Sequence, residues 1–218
     1  MIQSSQPSGS GRGIRLVLLV VLAGIVLAGC KILPEREPVG LYTPMLHFAD
    51  HNVGDTVSWR LALTQPTASG QLKTVHILVR PLPNQIEVYP RAAWSQSPPG
   101  LLGDALLEAL EADGRLPVVQ RSSTGLGRDY QLQVDLRAFE LVLTDGPQAS
   151  VRLRADLLRQ PAGRFVASRS FQIEVPASGQ DVDAAVSALG QGLEQLLPEL
   201  IDWTVAQAQN DWQDSAPP

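Results

Sequence analysis

The sequence predicts an α/β (α+β) protein with one domain, a mixed, largely antiparallel twisted sheet carrying two main helices, the C-terminal one long. Three observations carry this expectation. Period-two alternation of apolar residues recurs between Val57 and Val175, the signature of half-buried strands. Two stretches, Leu101–Leu110 and Val182–Trp203, instead place their apolar residues at helical spacing. The last three strand candidates are separated only by short Gly/Pro turns, Asp145-Gly146-Pro147 and Pro161-Ala162-Gly163, which predicts an antiparallel meander.

The chain begins with a polar stretch in which Arg12 and Arg15 are the only charges, followed by an aliphatic run from Ile14 to Leu27. A basic start, a short apolar region and small residues at its end make a secretory signal. The run is too short for the roughly 20 apolar residues that span a bilayer. It closes on Leu27-Ala28-Gly29-Cys30, an aliphatic residue, two small ones and then the chain's single cysteine. That pattern predicts cleavage after Gly29 and acylation of Cys30, typically with palmitate among its chains. Buried acyl chains contribute about 0.8 kcal/mol per CH2, so several of them hold a domain on a membrane. Lys31, which is not the aspartate associated with inner-membrane retention, directs the expectation to the periplasmic face of the outer membrane.

The expected organisation is therefore a signal peptide over 1–29, a lipidated N-terminus and tether over 30–55, a periplasmic domain over 56–206 and a polar tail over 207–218. Loss of residues 1–29 leaves 15 basic against 22 acidic side chains, a net charge of −7. Such a balance argues against nucleic acid, whose binding needs a basic footprint, and against electrostatic attraction to anionic lipid. A lone cysteine excludes an intrachain disulfide.

Within the tether, Pro34 and Pro38 favour extended backbone, while Leu41-Tyr42-Thr43 is a β-prone patch suited to pairing with a sheet edge. The domain opens with a strand through Trp59, Leu61 and Leu63. A second follows through Val75, Ile77 and Val79, with His76 half-buried in it, and a third over 86–91 ends at Ala92, Ala93 and Trp94. Ser97-Pro98-Pro99 reads as a helix start, serine at the cap and proline in the first turn, and Gly114 as its stop. Leu116–Gln120 is a short strand. Along Tyr130–Leu143 the apolar phase changes between Leu136 and Phe139, which predicts a bulge. Strands with Val151, Leu153, Ala155 and Leu157, and with Phe171, Ile173 and Val175, complete the meander. The last helix begins near Asp181, with Ser178 and Asp181 spaced as a capping-box variant; Pro198 predicts a kink or restart, and the tail from Gln207 is expected to fray.

Catalytic patterns are missing. There is no Gly-x-Ser-x-Gly elbow, no His-Glu-x-x-His and no dinucleotide fingerprint. His47 and His51 have metal-compatible spacing but no third ligand, and Gly125 and Gly127 lack the lysine of a phosphate loop. The carboxylates lie on helix faces and strand exteriors, where solvation accounts for them. The sequence predicts no enzyme, no cofactor and no metal site.

Five landmarks, taken together, resemble the ABC-type transport auxiliary lipoproteins. They are Leu41-Tyr42-Thr43; the strand 74–80 followed by Tyr89 and Trp94-Ser95-Gln96-Ser97-Pro98-Pro99; the helix Leu101–Leu110; Tyr130-Gln131-Leu132-Gln133-Val134 with Phe139-Glu140; and the segment Leu193 to Trp203. Pro44 stands where the family pattern continues with leucine. The resemblance implies a non-catalytic outer-membrane component of an MCE-type lipid transport system, including the paraquat-inducible kind, with an MCE-domain protein and an ABC permease/ATPase as partners. A lipid-binding shuttle and an envelope assembly lipoprotein resembling the N-terminal domain of TolB are the competing expectations. Trp94, on an expected loop, is a candidate interface or ring-packing residue, with Tyr89 and Trp203 as further interface candidates. A homo-oligomer is compatible with the edge strand and the long amphipathic helix.

Overall fold

A computed structural model of the chain describes residues 38–49, 56–116, 119–121 and 127–215. Leu27–Cys30, His51 and the loop 122–126 lie outside the described residues. Residues from Val39 onward form one compact unit. Its strands are β1 Gly40–Tyr42, β2 Leu61–Leu63, β3 Thr67–Ala68, β4 His76–Leu82, β5 Gln85–Trp94, β6 Val119–Arg121, β7 Tyr130–Val142, β8 Gln148–Arg159 and β9 Arg164–Pro176. Its helices are α1 Pro98–Asp113 and α2 Val182–Asp214, with a 3-10 turn at Gly70–Lys73.

The nine strands form one mixed sheet. Strand β7 is its spine. The antiparallel meander β7-β8-β9 is zipped almost end to end, with a register shift between Leu136 and Ala138 where the sequence changes phase. Along its other edge β7 receives β2, β3 and β4, all parallel. Beyond β4 lie β5, antiparallel, and then β1, parallel to β5. Long antiparallel pairs and short parallel ones account for the largely antiparallel character read from the sequence.

Helix α1 buries the predicted stripe, Leu101, Leu102, Ala105, Leu106, Ala109 and Leu110, and ends at Gly114 in the left-handed conformation, φ 73°. Glycine adopts that stop at no steric cost. Ser97 occupies the cap position, but its side chain makes no capping bond. Pro99 offers no N–H, and the Gly100 N–H donates to the Ser97 carbonyl at 2.8 Å instead. Helix α2 lays Leu189, Leu193, Leu196 and Leu200 on the sheet. At Gly192 an added Cβ would lie 3.0 Å from Val151 Cγ2, so the missing side chain lets the helix seat closely on β8.

Several expectations are corrected. The domain starts earlier than residue 56, because β1 pairs with β5 and the strap behind it lies on the domain. The first strand contracts to Leu61–Leu63, with the fully buried Trp59 ahead of it in a bend. His76 is exposed, not half-buried. The capping box does not form; Asp181 itself caps α2, accepting from the Ala184 N–H at 2.9 Å. There is no restart at Pro198, since α2 runs through it to Asp214. Pro198 itself is on the exposed side of the helix. Nor do residues 207–214 fray: Ala208 is fully buried, and Trp59 Nε1 donates to Gln209 Oε1 at 2.9 Å.

Candidate functional site

The described residues nearest the expected lipid anchor are β1 and the strap Thr43–Ala49, and their attachment is the first functional feature of the domain. Gly40, Leu41 and Tyr42 pair with Ala92, Ala93 and Trp94. The Ser95 N–H donates to the Tyr42 carbonyl at 2.8 Å, and the Thr43 and Ser95 hydroxyls meet at 2.6 Å. The strap then crosses α2 at Gly190, where a Cβ would lie 3.3 Å from Pro44 Cβ. Pro44 is buried, and Leu46 and Phe48 pack on the core. The His47 backbone N–H donates to Glu194 Oε1 at 2.7 Å, with the His47 ring 3.5 Å from the same oxygen. Backbone pairing, close packing and a charge-assisted bond thus tie the N-terminal segment to both the sheet and α2.

Open clefts flank the strap. One, of about 520 Å³, is lined by His47, Phe48, Asp113, Arg115, Glu194 and Asp202 among others. Another, of about 430 Å³, lies on the strap's other side against Asp183, Val186, Ser187 and Gln191. In the larger cleft Arg115 donates to Asp113 at 2.6 and 2.7 Å and to Asp202 at 2.6 Å. The Asp113 hydrogen bonds, outweighing burial, hold its guanidinium charge more firmly than usual. These charges are mutually satisfied, and the described residues hold no cluster of three metal-ligating side chains.

Trp94 is corrected from a loop to the last residue of β5. It is only 1% exposed and rests against Phe139 with ring centroids 5.3 Å apart. Its role is ring packing, and no surface remains for an interface. Its indole nitrogen has no hydrogen-bond partner among the described residues. Phe139-Glu140, a single landmark in sequence, divides in space: Phe139 meets Trp94, while buried Glu140 accepts two bonds from Arg80 at 2.9 and 3.1 Å. Tyr89 is half-buried and donates its hydroxyl to the Gln180 carbonyl at 2.7 Å; burial, then the Asp181 charge, raises its pKa. Trp203 is half-buried, edge-on to Phe171 at 5.7 Å. These three residues are not brought together into one surface by any ring contact among them.

Sequence reasoning missed the clasp at the end of α2. Asp211 accepts from the Tyr130 hydroxyl at 2.8 Å, from Arg159 at 2.7 Å and from Arg164. Burial would raise the Asp211 pKa, but the bonds from Arg164, Tyr130 and Arg159 together outweigh it and hold the carboxyl below the usual range. Burial and then the Asp211 bond raise the Tyr130 pKa. Arg159 also lies over the rings of Tyr130 and Trp212, 5.7 and 5.5 Å from their centroids. Nothing in a polar C-terminal stretch signals such partners, which come from strands about 50–80 residues earlier.

A family model for the ABC-type transport auxiliary lipoprotein component matches residues 49–200, well over half of the chain. The chain belongs to that family. The auxiliary lipoprotein is similar to the crystal structure of protein XCC0632 from Xanthomonas campestris, with 33% identity and a TM-score of 0.75 over 80% of this chain and 99% of that one. A second solved structure, of an uncharacterized protein, shares the fold at 20% identity and a TM-score of 0.62, covering 77% of this chain and 99% of that chain. The uncharacterized protein bll6063 of Bradyrhizobium diazoefficiens is 29% identical over 150 residues. That match takes in 69% of the auxiliary lipoprotein but only 40% of the relative's own length. Family membership makes the protein a lipoprotein component auxiliary to ABC-type transport.

Proposed function

We propose that this auxiliary lipoprotein is anchored through acylated Cys30 at the periplasmic face of the outer membrane. There it docks an MCE-domain protein and its ABC permease/ATPase for lipid transport between the membranes. The observation that carries the reading is a lipid-attachment sequence, Leu27-Ala28-Gly29-Cys30, ahead of a domain of the transport auxiliary family. The firm attachment of the strap to β5 and α2 supports it, because a tethered adaptor needs its load-bearing segment fixed to the domain. A lipid shuttle is less well supported. The face where α2 meets the sheet is filled by Leu189, Leu193, Leu196 and Leu200, and the larger open cleft carries an ion-paired Asp113–Arg115–Asp202 cluster, unsuited to an acyl chain.

The test is affinity isolation of the full-length tagged protein from solubilised membranes. Recovery of an MCE-domain protein and permease is expected. Clean isolation of the acylated chain without either would defeat the adaptor reading, and stoichiometric copurifying lipid would favour the shuttle.

A further inference from the structure

The strand registers give the domain a defined polarity. Strand β1 is parallel to β5, with Gly40 beside Ala92 and Tyr42 beside Trp94. The start of β1 therefore faces the β4–β5 turn, Pro83-Asn84. From Ala92 back to Gln85 is about 23 Å of strand at roughly 3.3 Å per residue. Val39 is the ninth residue after Cys30, and nine extended residue steps reach at most about 30 Å. The β4–β5 hairpin thus points toward the end of the domain from which the chain leads back to Cys30, and its tip lies within the tether's reach. The opposite end carries the β8–β9 turn and the C-terminus of α2, a helix of 33 residues and so about 50 Å long.

Three exposed aliphatic side chains lie along this hairpin, Ile86 and Val88 on one face and Leu82, paired with Gln85, on the other. Leu82 is 58% exposed, Ile86 47% and Val88 44%. Isolated exposed aliphatics are ordinary, but these three lie on one two-stranded tip. Among the described residues β5 pairs with β1 only at Ala92–Trp94, and no strand pairs with Gln85–Pro90 on that side. An exposed apolar edge is normally blunted or covered. Pro90 removes an N–H from this stretch, and Pro81 and Pro83 bracket the turn side, which disfavours docking by strand addition. Side chains available to an apolar surface, on a backbone poorly suited to strand pairing, fit a bilayer better than a peptide.

We propose that the β4–β5 tip contacts the membrane, with Leu82, Ile86 and Val88 in the headgroup layer of the bilayer that holds Cys30. The inference rests on the lipid-anchor reading above. The contact is apolar, so it forms on a zwitterionic surface and persists at high salt. It fixes the domain upright, with the β8–β9 turn directed into the periplasm.

The test uses the full-length acylated chain in phosphatidylcholine vesicles. Because Cys30 is the only native cysteine and its thiol is consumed by the anchor, Ile86→Cys and Ala162→Cys each accept one environment-sensitive fluorophore. Nitroxide-bearing lipid is expected to quench the label at position 86 several-fold more than at 162, in low and high salt alike. With Cys30 acylated by mass spectrometry, equal or weaker quenching at 86 overturns the contact while leaving the anchor intact. A label at 86 that becomes shielded only when transporter protein is added also overturns it, in favour of a protein interface. An unacylated Cys30 overturns the anchor and this inference together.

Discussion

Asp211→Ala tests whether the end of α2 is a structural clasp or a passive tail. The substitution removes the acceptor shared by Tyr130, Arg159 and Arg164. Arg159 keeps the Asp211 backbone carbonyl at 3.1 Å and its two aromatic contacts. Arg164 is more than half exposed, and exposed ion pairs contribute about 0–1 kcal/mol. The main cost falls on Tyr130, fully buried as a residue, whose hydroxyl loses its hydrogen-bond partner; an unsatisfied buried donor costs about 1–3 kcal/mol. The sum is about 1–4 kcal/mol, and at roughly 2–4 °C per kcal/mol for a domain of this size Tm falls by about 2–16 °C. Differential scanning calorimetry at neutral pH measures this directly. In a double-mutant cycle, Asp211→Ala added to Tyr130→Phe costs clearly less than Asp211→Ala alone, because the orphaned hydroxyl is already gone. If Asp211→Ala leaves Tm within a degree of wild type, the clasp contributes nothing and the reasoning fails.

Trp94→Phe costs on the order of 1 kcal/mol in urea unfolding, whereas Trp94→Ala costs about 3–5 kcal/mol. The indole N–H makes no bond to the described residues, so a phenylalanine as damaging as alanine would contradict the packing account. Gly190→Leu overfills the crossing with Pro44, 3.3 Å from the virtual Cβ, and lifts the strap for about 1–3 kcal/mol. Faster amide exchange over residues 43–49 with the β7–β9 core still protected is the expected pattern; unchanged exchange refutes it. Asp129, hydrogen-bonded by Arg60 against the opposing effect of burial, and Asp211 are both held below the usual carboxylate range. Depressed carboxylate pKa values stabilise the fold fully above the unfolded pKa and lose that stabilisation as pH falls through the folded one. Tm therefore declines on acidification from about pH 5 downward, and less steeply in Asp211→Asn.

Much of the fold was legible because local chemistry and tertiary context agree. Alternation along Val151–Leu157 and Phe171–Val175, the phase change after Leu136, the stripe of α1 and the Gly114 stop each depend on neighbours a few residues away. The same holds for Leu41-Tyr42-Thr43 as an edge strand. Trp94 was misplaced because Pro98 and Pro99 made its surroundings look like a loop, whereas pairing with β1 and Val75 extends β5 to its end. The capping of α2, its passage through Pro198 and the order of residues 207–214 were equally invisible.

By itself, the sequence determined the expected address at Cys30, the acidic surface, the two helices and the meander, since each is written in residue type or short-range periodicity. Tertiary structure alone decided that the strap is fastened to α2 through Gly190 and Glu194. It also decided that a polar C-terminus is a clasp on Tyr130, and that the exposed aliphatic tip lies at the end where the chain enters the domain. These depend on which distant segments meet, and a run of residues carries no record of a partner far along the chain until the sheet registers bring the two together.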